Sequence, residues 1–94
     1  MPYLIIRHKV EDYDRWKPVF DDHGPTRAEF GSTGYQLLRS ADDPNELAMI
    51  FEVQDIDRVK ELVFSDDLRE KMQNAGVADQ PDFYFLDEIE RGSA

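Results

Sequence analysis

Two stretches of helical periodicity separate runs of strand-forming residues, and the two middle runs are joined by a turn too short to hold a helix. Residues 3–10 are dense in β-branched and large apolar side chains and read as a strand, as do residues 35–40, 46–53 and 83–89. Between the middle two lies Ala41-Asp42-Asp43-Pro44-Asn45, a cluster of turn formers that makes them a hairpin. Asp12 or Asp14 is suited to cap a first helix, and Pro18 favours a late start for it. Gly24-Pro25 kinks or breaks that helix, with Pro25 opening a short segment to Phe30, and residues 31–34 form a turn. Asp55 or Asp57 caps a second helix carrying Val59, Leu62 and Val63. Ser65 then caps a further segment carrying Leu68, Met72 and Ala75, which Gly76 ends before a loop at 79–82.

The resulting order, β-α-β-β-α-β, predicts an α+β, ferredoxin-like domain with a four-stranded antiparallel sheet and its helices on one face. Residues 1–90 form a single domain and residues 91–94 a flexible tail. In the first strand, Leu4, Ile6, His8 and Val10 share the face toward the helices. The opposite sheet face is left bare, carrying Tyr35, Leu37, Ile5 or Tyr84 according to register, and a bare apolar face marks an interface. The last strand has aromatic residues on both sides and is expected to be covered on both.

Composition narrows the partners. Eleven basic and twenty-one acidic side chains give a net charge of −10, which disfavours nucleic acid and anionic membranes. An anionic ligand needs local cations, for which Arg7, Lys9, Arg27 and Arg39 are the candidates. There is no cysteine, so disulfides, thiolate metal sites and cysteine nucleophiles are excluded, in keeping with a reducing cytoplasm. The N-terminus reads neither as a signal peptide nor as a membrane span. No His or acidic spacing suggests a metal: Asp21, Asp22 and His23 are adjacent on a helix and diverge by about 100° each.

The candidate chemistry lies on one stripe. Trp16, Phe20, His23, Arg27 and Phe30 follow one another at gaps of four, three, four and three, and so share a helix face. Three are aromatic, which points the stripe at the core. A buried histidine and a buried cation are costly unless something pairs with them. His23 is either a core histidine satisfied by neighbours or a general acid–base in a pocket, since imidazole titrates near neutrality. His8, facing the same side from the first strand, is the second acid–base candidate. Arg27 either counters developing negative charge on an enolate or phenolate or forms an ion pair with one of the acids. Trp16 and Phe20 are suited to line a flat aromatic pocket, and Tyr35 to hydrogen-bond a phenolic ligand or fill an interface.

The chain resembles the dimeric α/β-barrel superfamily, near its antibiotic biosynthesis monooxygenase-like group. The residues that carry the likeness are Leu4-Ile5-Ile6-Arg7-His8-Lys9-Val10, Asp12-Tyr13-Asp14-Arg15-Trp16-Lys17, Gly34-Tyr35-Gln36-Leu37-Leu38-Arg39-Ser40, Asp42-Asp43-Pro44-Asn45-Glu46 and Ser65-Asp66-Asp67-Leu68-Arg69. The resemblance implies two sheets packed face to face as a homodimeric barrel, each subunit with a pocket for a small hydrophobic or aromatic ligand. Members include cofactor-free oxygenases, polyketide cyclases, isomerases and haem-degrading proteins. Haem-degrading and several oxygenase members carry a histidine in the second helical region, whereas Val63, Asp67 and Leu68 stand there in this chain. The expectation is therefore no haem, no other cofactor and no metal, with any chemistry resting on His23, His8 and Arg27.

Two functions follow. One is an enzyme acting on an aromatic or polyketide-like compound by proton transfer or cofactor-free oxidation, which needs a pocket of roughly several hundred Å3 walled by His23. The other is a non-catalytic dimeric binding or assembly module, with that space filled and His23 paired to a protein group.

Overall fold

The computed structural model describes residues 2–78 and 80–94. Its elements run β1 (Pro2–Lys9), α1 (Tyr13–Asp22), α2 (Gly24–Glu29), β2 (Ser32–Arg39), β3 (Glu46–Val53), α3 (Ile56–Val63), α4 (Asp66–Asn74) and β4 (Asp82–Asp87). The four strands form one antiparallel sheet in the order β2-β3-β1-β4. This is the split βαβ arrangement.

Local chemistry sets the helix starts. Asp12 caps α1 by accepting from the Asp14 N–H at 3.0 Å, and Asp55 caps α3 by accepting from the Asp57 N–H at 2.9 Å. The Ser65 hydroxyl accepts from the Leu68 N–H at 3.2 Å and opens α4. Each cap satisfies an amide that the helix cannot. The late start expected from Pro18 is not found: α1 begins at Tyr13 and Pro18 lies inside it. Its missing N–H removes only the bond to the Asp14 carbonyl, which sits on an exposed residue. Residues 31–34 are not a turn in their entirety. Gly31, at φ 96°, makes the reversal, and β2 starts at Ser32 with an irregularity before Gly34.

Packing is one-sided. Leu4, Ile6, Leu47, Met49, Phe51 and Val53 of the sheet join Trp16, Phe20, Val59 and Val63 of the helices in one buried cluster. Each such side chain contributes about 1.5–3 kcal/mol on burial. His8 is in the same layer, 1% exposed.

The register settles the other face. Tyr35 is opposite Phe51 and Leu37 opposite Met49, so both point to the helix side rather than to the bare face. Ile5 pairs with Ile50 and Tyr84 on the bare face, where Leu38, Tyr84 and Leu86 are exposed. The charge at one end of that face is neutralised by Arg7, which binds Glu46 at 2.8 Å and Asp82 at 3.1 Å. The expectation that β4 is covered on both sides fails within the chain, because β4 is an edge strand and Tyr84 and Leu86 stand open. It also ends at Asp87 rather than at 89, leaving Ile89 outside it and 98% exposed. Beyond it, Arg91 donates to Glu88 and to the Tyr3 hydroxyl. Met1 and Asp79, part of the N-terminal and loop readings, lie outside the described residues. No helix among the described residues is long and apolar enough to cross a membrane.

Candidate functional site

The helical arm after β1 is broken at His23. Pro25 has no N–H to offer the Asp21 carbonyl, so the α1 ladder stops there. It resumes at once, since the Arg27 N–H reaches the His23 carbonyl at 3.1 Å. His23 sits between the two helices at φ −84° and ψ −2°, in the sparsely populated bridge region. The break is mild enough that the stripe survives it, and Arg27 remains on the same side as Trp16, Phe20 and His23.

These residues meet around one cavity of about 90 Å3 between the helices and the sheet, partly open to solvent. His8, Trp16, Phe20, His23 and Arg27 all line it, together with Met49 and Phe51 from the sheet. Tyr35 does not. Its ring stands edge-on to Phe20 at 5.2 Å, behind the cavity wall and half exposed, because Phe20 occupies the space between. The volume is below the several hundred Å3 expected for a substrate-sized pocket. The stacked rings of Trp16 and Phe20, 4.9 Å apart, and the edge-on contact of His8 with Trp16 at 5.6 Å take up the rest.

His23 is 7% exposed, and its Nε2 has no hydrogen-bond partner among the described residues. Burial lowers its pKa from the ordinary 6.5, the positive charges of Lys71 and Arg27 lower it further, and Asp67 opposes them. The ring is thus neutral at pH 7 with a nitrogen lone pair or N–H available to a ligand. Arg27 stacks on the Phe20 ring at 3.9 Å and donates from Nη1 to the Phe20 carbonyl at 2.7 Å, capping the end of α1. Among the described residues it has no carboxylate within ion-pair distance, contrary to the plainer alternative. The other cations expected for an anion are engaged elsewhere: Arg7 with Glu46 and Asp82, Lys9 with Asp43 at 3.7 Å, and Arg39 over the Tyr13 ring at 4.4 Å.

Sequence reasoning missed the far wall. Leu68, Lys71 and Met72 of α4 line the cavity, as does Ser32, which had been assigned to a turn. The signal for Lys71 was present. It falls three residues after Leu68 and four before Ala75, on the apolar stripe of α4. Among the described residues no group of His and acidic side chains is arranged to hold a metal.

No protein-family model matches the chain, and no curated protein matches it. Solved structures do. A proposed antibiotic biosynthesis monooxygenase from Bordetella bronchiseptica superposes with a TM-score of 0.75 at 16% identity, over 95% of this chain and 97% of that one. Another, from Caulobacter crescentus, gives 0.73 at 21% identity over 95% and 90%. A variant of SnoaB, a cofactor-independent oxygenase from Streptomyces nogalater, gives 0.73 at 16% identity over 96% and 94%. The chain shares the fold of these structures. Within that fold, the first helical arm, the sheet and α4 enclose the cavity, and the sheet face behind it is bare.

Proposed function

We propose that the chain is a cofactor-independent monooxygenase acting on a small phenolic compound, with His23 as the proton carrier. The observation that carries the reading is the buried Nε2 of His23, without a partner and at the wall of a cavity, held neutral by burial and neighbouring cations. A purely structural histidine would be expected to find a partner. At about 90 Å3 the cavity is smaller than the apolar cavity of about 150 Å3 that takes benzene, so it excludes a polycycle and holds a single ring only with part of it in the open mouth.

The chemistry follows from a base beside a cation. His23 Nε2 takes the phenolic proton, and Arg27 counters the phenolate charge. The phenolate gives an electron to dioxygen and recombines at a ring carbon, forming a C–O bond and, with the proton returned by His23, a hydroperoxide. Loss of the ring proton from that carbon and cleavage of the O–O bond give the quinone and water. One phenol and one dioxygen thus become one quinone and one water. His8 and Trp16 would position the ring with Phe20.

The working unit in this reading is a homodimer, supported by the bare face carrying Leu38, Tyr84 and Leu86. A cytoplasmic location remains part of the proposal, resting on the lack of cysteine. The small cavity favours the second reading, a non-catalytic binding module, and one experiment separates them. Oxygen uptake with a panel of monocyclic phenols and no added cofactor is expected for the wild type. His23→Gln should lower it about 100-fold or more while leaving the melting temperature nearly unchanged. Uptake equal to the uncatalysed rate, with saturable binding retained, would favour the binding module.

A further inference from the structure

In a chain with twenty-one acids and eleven basic residues, the cavity lining contains His8, His23, Arg27 and Lys71 and, among the described residues, no aspartate or glutamate. Arg27 from α2 and Lys71 from α4 both line the cavity, and both act electrostatically on His23. Both cations keep donors that no hydrogen bond among the described residues occupies. Arg27 uses one of its five donors on the Phe20 carbonyl. Lys71 has a carboxylate only at 3.9 Å, from Asp67 one turn earlier on an exposed helix face, a contact too long for a hydrogen bond. The deeper wall, of Leu4, Ile6, Trp16, Met49 and Phe51, is apolar or aromatic.

We propose that this cavity binds a one-ring aromatic carboxylate, ring inward, with the carboxylate held at the mouth between Arg27 and Lys71, and that Lys71 sets the preference for anions. The proposal deepens the reading of the cavity as a ligand site but does not depend on oxygen chemistry there. A carboxylate fits better than a lone phenolate oxygen because its two oxygens accept from cations on two different helices at once. It also gives an anion a way into so acidic a protein: two cations line the cavity, offset nearby only by Asp67, which pairs with Lys71 at 3.9 Å. Burial is the main cause of the lowered His23 pKa; Lys71 and then Arg27 add to it as nearby positive charges, and Asp67 opposes them.

Trp16 is the sole tryptophan and lines the cavity, so its fluorescence reports occupancy directly. Titration with benzoate should give saturable quenching about tenfold tighter than with benzyl alcohol, a neutral compound of similar shape. Lys71→Met, on an exposed helix face, should erase most of that ratio by weakening benzoate alone, and Lys71→Arg should restore it. Raising the salt concentration should weaken benzoate and leave benzyl alcohol unchanged. Equal affinity for the two probes, no saturable quenching by benzoate at millimolar concentration, or a ratio unmoved in Lys71→Met would overturn the proposal. Benzoate preference without any oxygen uptake would uphold it and remove the oxygenase reading. Uptake lost in His23→Gln with no benzoate preference would do the reverse.

Discussion

Replacing His23 with leucine should make the protein more stable while removing the proposed base. The ring is 7% exposed and its Nε2 is unpartnered, and a buried polar atom left without a hydrogen bond costs about 1–3 kcal/mol. Leucine fills a similar volume without that group, and small differences in packing and rotamer entropy reduce the gain to about 1 kcal/mol near pH 7.5. The pH dependence has a definite sign. Burial first, then Lys71 and Arg27, place the folded-state pKa of His23 below its ordinary 6.5. Between those two values the unfolded chain binds more protons than the native one, so wild-type stability rises with pH through that window and is lost as pH falls through it. Leucine has no such dependence. The advantage of the variant should therefore grow as pH falls below 6.5, by at most about 1.4 kcal/mol per pH unit from one group. Urea melts of both proteins above and below that pH measure the difference, with other titrating groups cancelling between them. Near neutrality the melting temperature should rise by about 4–8 °C. A variant less stable than wild type by more than about 1 kcal/mol, with a difference that does not change with pH, would show the ring bonded within the protein and refute the reasoning.

Sedimentation equilibrium at micromolar protein should give about twice the chain mass, and Leu38→Glu, on the bare face and already exposed in one chain, should yield a folded monomer; a monomeric wild type would rule out the dimer. Gly31→Ala places a side chain at φ 96°, where the new Cβ meets nothing closer than 3.7 Å, so backbone strain alone should cost about 1–2 kcal/mol in a denaturant melt. Ser65→Ala removes the hydroxyl that caps α4 and should cost about 1 kcal/mol, seen as a lower melting temperature of several degrees.

The sequence by itself determined the element order, because period-two and period-3.6 patterns are local and each helix start carries its own capping side chain. Strand 46–53 and the caps at Asp12, Asp55 and Ser65 agree with the structure for that reason. It also gathered Trp16, Phe20, His23 and Arg27 onto one face, since a helical stripe is a property of one segment and the break at Gly24-Pro25 is mild. Only the tertiary structure decided what that stripe faces. Register between β2 and β3 turned Tyr35 and Leu37 toward the helices, a choice that a one-residue slip would invert. Packing of the aromatic rings set the cavity volume, which no pattern of residue types encodes. Lys71 was visible as one charge among many on an acidic chain. Its place in the same cavity wall as Arg27 exists only once α2 and α4 have packed on the sheet, because the two are far apart in sequence and local periodicity carries no information about which stripes meet.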